Sequence, residues 1–184
     1  MVLQNNSNKS NQKGKAMKRC ELLTWPELEG KILDEDRLEE ALEKRGWTYK
    51  WFNWQEEKED WNQWDCAIVR TTWDYIEDLP RFLSQLEKIE KSSCQLFNDF
   101  KTIRWNSDKR YLEELTEQGV STIPTLWLNS PSVEEIRQGL KTLGTERAVI
   151  KPQCGAGAKN TFVVSLEQEE VLEQASSLLQ NQAV

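Results

Sequence analysis

The sequence contains no histidine, and this absence excludes several common kinds of active site. Without an imidazole there is no histidine-based triad, no histidine ligand for zinc and no histidine acid–base catalysis near neutral pH. If the protein is an enzyme, its chemistry must therefore depend on carboxylates, lysines, arginines, backbone dipoles or a metal ion held by oxygen ligands.

The sequence also lacks any run of about 18 apolar residues, so we expect no membrane-spanning helix. Its four cysteines form no C-x-x-C pair and follow no secretory signal, which predicts reduced thiols in a cytoplasmic protein. The net charge of −7 argues against nucleic acid or an anionic membrane as the main partner. Residues 1–18 are rich in Asn, Gln, Ser and Lys, a composition that predicts a disordered tail.

The next part, residues 19–104, alternates between strand-like and helix-like patterns. Predicted strands cover 19–25, 47–54, 66–70 and 94–97, and predicted helices cover 34–45 and 79–91. This alternation predicts an α/β fold with a small open sheet. In such sheets, ligands bind beyond the carboxyl ends of the strands.

Two polar segments, 70–75 and 98–101, follow predicted strands. Arg70 in the first segment has two interpretations. In the first interpretation, Arg70 forms a bidentate pair with a substrate carboxylate. In the second, Arg70 pairs with Asp74 and holds the loop in place. We favour the substrate role because the segment lies at a strand end. Of the nine tryptophans, Trp73 has the neighbours best suited to a ligand contact, whereas each of the others is interpreted as a packing residue.

The last part, residues 105–184, has a different pattern. Predicted helices cover 106–118, 132–143 and 165–180. The second of these helices opens with a capping box, in which Ser132 is followed three residues later by Glu135. A strand is predicted over 120–128, with an edge or a bend at Pro124.

A loop of small residues within 149–162 is the most distinctive motif. Two apolar runs enclose a loop that contains Gly155 and Gly157 and is flanked by Lys151 and Lys159. Glycines allow backbone N–H groups to approach an anion closely, and the lysines supply positive charge. Neither G-x-x-x-x-G-K-[ST] nor G-x-G-x-x-G is present. Two interpretations stay open: a glycine-rich flap that holds phosphate, or a hairpin turn with two solvated lysines.

Three segments together resemble the ATP-grasp superfamily. They are Arg-Thr-Thr-Trp-Asp-Tyr at 70–75, the stretch 98–112 with Trp-Asn-Ser-Asp-Lys-Arg-Tyr-Leu, and 149–161. The likeness is to the branch of glutathione-synthetase-like and cycloserine-biosynthesis-type ligases. This resemblance implies a Rossmann-like pre-ATP-grasp domain at 19–104, followed at 105–184 by the first α+β lobe of an ATP-grasp fold.

The resemblance also implies two sets of residues that contact ligands. On the nucleotide side these are Lys109, Lys151, Gly155, Ala156, Gly157 and Thr161. On the substrate side they are Arg70, Thr72, Trp73, Asp74 and Asn98. The resemblance assigns no catalytic side chain and no metal ligand to this chain.

The activity that the resemblance implies is ligation that depends on ATP and Mg²⁺. A small-molecule carboxylate would be joined to an amine or a thiol through an acyl phosphate. Members of the family have a second lobe that carries the Mg²⁺ ligands, and no segment here supplies it, so we expect this portion to be inactive alone. An apolar surface left by that lobe would favour a homodimer. The alternative is a non-catalytic α/β module that binds a small molecule or a nucleotide.

Overall fold

The structure is a computed structural model that describes residues 18–28, 34–57, 60–180 and 184. Of the predicted disordered tail, residues 1–17 lie outside the described residues, and Lys18 is already part of a strand. The strands are β1 (Lys18–Thr24), β2 (Trp47–Asn53), β3 (Cys66–Thr71), β4 (Gln95–Phe97), β5 (Arg147–Ile150) and β6 (Phe162–Ser165). The α-helices are α1 (Glu35–Lys44), α2 (Leu79–Glu90), α3 (Phe100–Asn106), α4 (Tyr111–Glu117), α5 (Val133–Leu143) and α6 (Glu169–Leu178). Within these described ranges, no helix is both long enough and apolar enough to cross a membrane.

The first four strands form one parallel sheet in the order β2-β1-β3-β4. Side chains of a strand alternate between the two faces, so a strand covered on both sides is apolar at successive positions. On β1, Leu23 belongs to a cluster with Phe82 and Leu86 of α2, whereas Leu22 belongs to a cluster with Leu38 of α1. The predicted α/β fold with a small parallel sheet is therefore confirmed.

The last two strands form a separate antiparallel sheet, joined by the loop of small residues. On one face, Ile150 and Val164 are buried in a cluster that includes Leu172 of α6. On the other face, Val149 and Val163 pair across the strands and are 57% and 49% exposed. One face of this sheet therefore packs against helices while the other is open.

The helix predicted over 106–118 is wrong in its first part. Helix α3 ends at Asn106, and the non-helical residues 107–110 separate it from α4. Helix α3 begins where Asp99 accepts hydrogen bonds from the backbone N–H and the hydroxyl of Thr102, at 3.0 and 2.5 Å. It ends where the hydroxyl of Ser107 donates to a backbone carbonyl one turn earlier. The break places Lys109 outside either helix. Helix α3 also crosses the predicted domain boundary at 104/105, which stays a prediction.

Two further predictions need correction. Within 120–128 the described residues form no strand, although Leu128 exchanges two backbone hydrogen bonds with Val184. The last helix begins at Glu169 rather than at Ser165, which is the final residue of β6. At Ser165 the pairing with Arg147 extends β6, whereas 121–127 has no hydrogen bond from its backbone to the backbone of another described residue.

Candidate functional site

The carboxyl ends of β1 and β3 lie side by side and place several hydroxyl groups together. The hydroxyl oxygens of Thr24 and Thr71 are 2.6 Å apart, and the backbone N–H of Trp25 donates to the carbonyl of Thr71 at 3.0 Å. Thr72, a predicted substrate residue, is only 4% exposed. Thr24 and Thr71 therefore hold the two strand ends together, and Thr72 is buried beside them in sequence.

Arg70 lies on β3, and its guanidinium reaches helix α1. Its Nε and Nη2 donate to the two carboxylate oxygens of Glu35 at 2.8 to 3.2 Å. The hydrogen bonds to Glu35 raise the pKa of Arg70. The suggested ion pair between Arg70 and Asp74 is therefore wrong. The contact of Arg70 with a substrate carboxylate stays a prediction, and its guanidinium already has a carboxylate partner within the protein.

Asp74 follows β3 in a short 3-10 turn and is 3% exposed. Its two carboxylate oxygens accept hydrogen bonds from Trp54 Nε1 at 2.7 Å and Gln55 Nε2 at 2.5 Å. These contacts tie the turn after β3 to the residues that follow β2. The structure thus gives Asp74 a structural role, and its predicted contact with substrate is untested.

The other two predicted substrate residues are accessible. Trp73 is 41% exposed and begins the turn that contains Asp74. Asn98 is exposed and directly follows β4, the neighbour of β3 in the sheet. Of the substrate set, Trp73 and Asn98 can therefore meet a ligand without rearrangement.

The loop between β5 and β6 makes a tight turn that depends on left-handed backbone conformations. Gly157, Ala158 and Asn160 have φ values of 61°, 58° and 54°. This region is unstrained for glycine and accessible to asparagine, but costs free energy at alanine. Lys151 and Thr161 are exposed at the two ends of the loop. The strand–loop–strand arrangement predicted from the sequence is thus confirmed.

Lys109 comes from the break between α3 and α4 and lies against this loop. Its Nζ donates to the carbonyl oxygens of Gln153 and Gly155 at 3.2 and 3.1 Å. Its backbone N–H also donates to the Gln153 carbonyl, at 3.1 Å. Burial lowers the pKa of Lys109, and repulsion from Lys151 lowers that pKa further. Two lysines that were predicted separately are therefore close enough to repel each other beside one glycine loop.

The contact that holds this arrangement was missed in the sequence. The side-chain amide of Gln153 donates to Asp108 Oδ2 at 2.6 Å, and Asp108 Oδ1 accepts the backbone N–H of Arg110 at 2.9 Å. The amide thus ties the loop to the residue before Lys109. No local pattern links two positions 45 residues apart, and the position of Asp108 next to a predicted phosphate-binding lysine was the one available signal.

A cleft of about 530 Å³ lies between the loop and the turn after β3. Its walls include Ile76, Cys154 and Gly155. Lys159 of the loop forms an ion pair with Glu77 at 2.9 Å on the rim, and both side chains are 59% exposed. Burial raises the pKa of the Cys154 thiol. The cleft is thus bordered by the predicted nucleotide loop and by the segment that follows the predicted substrate residues.

A second cleft, of about 410 Å³, lies outside this arrangement. The rings of Trp105 and Tyr111 are in contact along its wall, with centroids 4.9 Å apart and planes tilted by 51°. The indole N–H of Trp105 donates to Glu114 at 2.7 Å, and the guanidinium of Arg110 lies 4.7 Å from the ring centre of Trp127. These aromatic and charged groups already satisfy one another, so we assign no ligand to this cleft.

The family resemblance implies bound ATP and Mg²⁺, and the described residues suit the phosphates of ATP better than they suit the metal ion. Two repelling lysines beside a loop that lacks side chains at Gly155 and Gly157 fit a phosphate chain. A Cβ at Gly155 would lie 3.5 Å from Lys109 Nζ. By contrast, the described residues contain no cluster of three Cys, Asp or Glu side chains able to hold a metal ion.

Comparison with known proteins shows similarity in sequence and in fold. Residues 20–98 match the family model of the N-terminal domain of D-cycloserine synthetase DcsG. The chain is 30% identical over 124 residues to the cycloserine biosynthesis protein DcsG of Streptomyces lavendulae, an alignment that covers 66% of this chain and 41% of that protein.

Two solved structures have a similar fold. The crystal structure of D-cycloserine synthetase DcsG matches with a TM-score of 0.72 and 24% identity, over 90% of this chain and 57% of that one. An ATP-grasp RimK-domain protein from Sphaerobacter thermophilus matches with a TM-score of 0.64 and 18% identity, over 90% of this chain and 61% of that one. The chain therefore spans less than two thirds of each of these relatives. The comparisons confirm that it resembles the cycloserine-biosynthesis-like branch of the ATP-grasp proteins and has their α/β fold.

Proposed function

We propose that this chain is the substrate-side and first nucleotide-binding portion of an ATP-dependent ligase. The complete protein would join a small-molecule carboxylate to an amine or a thiol, in the cytoplasm where ATP is available. Residues 19–104 would serve the acceptor substrate and residues 105–184 the nucleotide. The similarity to a cycloserine biosynthesis protein supports a ligase-like activity, and the ATP-grasp fold supports a nucleotide site.

One observation carries the nucleotide assignment: Lys109 Nζ donates to two carbonyl oxygens of the glycine loop, and the exposed Lys151 begins that loop. Burial and mutual repulsion lower the pKa of Lys109, which means that its ammonium form is incompletely compensated. A phosphate group beside both lysines would relieve that repulsion and accept hydrogen bonds from the loop. In this arrangement Ala156 and Thr161 complete the rim of the nucleotide site.

The residues predicted to contact substrate do not all have the exposure and the partners that the sequence led us to expect. Trp73 and Asn98 are exposed, and we propose them as direct contacts. Arg70 would meet a substrate carboxylate by exchanging its partner Glu35, since one guanidinium cannot form two such bidentate pairs on the same edge. The buried Asp74 would act by holding the turn in place.

The chemistry supplied by bound ATP is the transfer of a phosphoryl group that activates the substrate carboxylate as an acyl phosphate. The residues of this chain would act by position and charge. Lys109 and Lys151 would neutralise phosphate oxygens, and the loop backbone would cover them and exclude water. The ligands of Mg²⁺ would lie outside the described residues.

Calorimetric titration with Mg-ATP tests the nucleotide site. We expect weak binding by the parent chain, and binding by Lys151→Ala that is roughly fivefold weaker, because an exposed charge contributes about 1 kcal/mol. Lys141→Ala is the matched control, since it removes an exposed lysine from α5 without touching the loop. Equal affinities for Lys151→Ala and the parent would contradict the site assignment.

An ADP-release assay over candidate amino acids tests the incomplete site. We expect no turnover by residues 1–184, because the described part of the chain has no metal-ligand cluster. Robust turnover by this chain would show that it already contains a working active site, and it would refute the proposed inactivity without affecting the nucleotide assignment.

A further inference from the structure

Three of the four cysteines are buried, and two of these lie side by side on neighbouring strands of the parallel sheet. Cys20 of β1 is the register partner of Cys66, the first residue of β3. Side chains of residues paired in this way project from the same face of a sheet. Both cysteines belong to one apolar cluster, and they are 0% and 5% exposed. The fold therefore brings together two thiols from distant parts of the chain.

The spacing of the two backbones suits a disulfide between these cysteines. Neighbouring strands lie about 4.8 Å apart, and disulfides join Cα atoms that are about 4.4–6.8 Å apart. The pair lies near the short end of this range, and departures from the usual disulfide geometry make the bond easier to reduce. A bond between Cys20 and Cys66 would therefore form without a change of register, and mild reductants would reopen it.

The two thiols are hydrogen-bonded to each other and are chemically unequal. The Cys20 thiol donates to the Cys66 sulfur, and this hydrogen bond lowers the pKa of Cys66 and raises the pKa of Cys20. Burial raises the pKa of Cys20 further. Cys20 Sγ also lies 3.7 Å from the carbonyl oxygen of Glu21, a second acceptor for its one proton. Cys66 is thus the sulfur that more readily becomes a thiolate, the form that reacts with oxidants.

We propose that Cys20 and Cys66 form a redox site in which a peroxide converts the two thiols into a reversible disulfide. The oxidant reaches Cys66 through local opening at the start of β3. The Cys66 thiolate attacks one peroxide oxygen and breaks the O–O bond, which leaves a sulfenic acid at Cys66 and releases hydroxide. The Cys20 sulfur then attacks the Cys66 sulfur and breaks its S–O bond. In total, two thiols and one hydrogen peroxide give one disulfide and two waters, so the sulfurs are oxidised and the peroxide is reduced.

The positions of the other two cysteines make them controls for this reaction. Gln95 of β4 is the register partner of Cys66, so its neighbour Cys94 faces the other side of the sheet and belongs to the cluster there. Cys154 lies in the glycine loop, away from the sheet. The redox site is also separate from the proposed ligand site, because the predicted substrate residues lie toward the carboxyl ends of β3 and β4.

Oxidation of the reduced, folded chain with hydrogen peroxide tests the site. We expect the parent to lose two hydrogens in mass, and a non-reducing peptide map to join the Cys20 peptide to the Cys66 peptide. Dithiothreitol should reverse both changes, and circular dichroism should show that the sheet stays folded. No link, a link to Cys94 or Cys154, or a link that forms only in urea would overturn the proposal, because the reaction depends on the register of β1 and β3.

Capture of the sulfenic acid by dimedone tests the role of each sulfur. Cys66 should be labelled at least about tenfold more in Cys20→Ala than in the parent, because a thiol held in contact reacts faster than a reagent in solution. Cys94→Ala is the matched control, since it also removes a buried thiol, and it should form the link as the parent does. Equal labelling of Cys66 in the parent and in Cys20→Ala would refute the attack by Cys20. If Cys20→Ala does not fold, the peptide map of the parent decides alone.

Discussion

Replacing Lys109 by methionine is expected to loosen the glycine loop and to weaken nucleotide binding together. Methionine retains an unbranched apolar side chain but removes the ammonium group. The carbonyl of Gln153 would keep the backbone N–H of residue 109 as a donor, at 3.1 Å. The carbonyl of Gly155 would lose the Nζ that lies 3.1 Å away.

The contacts of Lys109 Nζ indicate how large the losses of stability and of nucleotide affinity should be. A hydrogen bond to a charged group contributes about 1.5–3 kcal/mol, but burial of the ammonium offsets part of that gain, so we expect a loss of about 1 kcal/mol in the free energy of unfolding. For a chain of this length that loss lowers Tm by roughly 2–4 °C. Removal of one charged phosphate contact at Lys109 should weaken Mg-ATP binding by roughly 10- to 150-fold.

Thermal melting and calorimetric titration of the same samples measure the two effects. Lys109→Arg is the matched variant that keeps the charge, and it should retain part of the affinity because guanidinium also binds phosphate. Lys141→Ala controls for the change in net charge. If Lys109→Met melts and binds Mg-ATP like the parent, the convergence of the two lysines on the loop has no role in nucleotide binding.

Two further predictions concern residues that hold the site and its supporting helices. Asp74→Ala should lower the free energy of unfolding by about 2–4 kcal/mol, because two side-chain donors lose their acceptors, and Asp74→Asn should lower it less. Denaturant titration measures this loss, and an Asp74→Ala variant as stable as the parent would disprove the prediction. Hydrogen bonds from Ser132 hold the pKa of Glu135 below its ordinary value of 4.5. The stability from this capping box is therefore complete above pH 4.5 and is lost as the pH falls through the lower folded-state pKa. Melting curves should show the advantage of the parent over Glu135→Gln at neutral pH and its loss in acid, and an advantage unchanged in acid would contradict the assigned cause.

The parts of the fold that were predicted correctly depend on local signals. The apolar run at 66–70 and the capping box at Ser132 each act within a few residues, so the sequence alone specifies them. The glycine loop between two short apolar runs was predicted for the same reason. Asp99 offered an equally local signal for the start of α3, with Thr102 three residues later, and that signal was missed.

Other parts of the site depend on contacts that no local pattern encodes. The partner of Arg70 is Glu35, a carboxylate 35 residues earlier on α1, whereas Asp74 is only four residues away and was the natural guess. The two lysines of the proposed nucleotide site are 42 positions apart, and only the fold shows that Lys151 lowers the pKa of Lys109. The segment 120–128 failed as a strand prediction because strand pairing needs a partner as well as a suitable sequence.

The ion pair between Lys159 and Glu77 has a consequence for every binding experiment on this chain. It connects the glycine loop to a turn 82 residues earlier, and both partners are well exposed. Exposed pairs are screened by dissolved ions, with a Debye length of about 8 Å at physiological ionic strength and about 30 Å at 0.01 M. The buffer therefore sets how firmly the loop is held to the rim of the cleft. Affinities for a polyanionic ligand measured in dilute buffer and in physiological salt would thus refer to differently restrained loops.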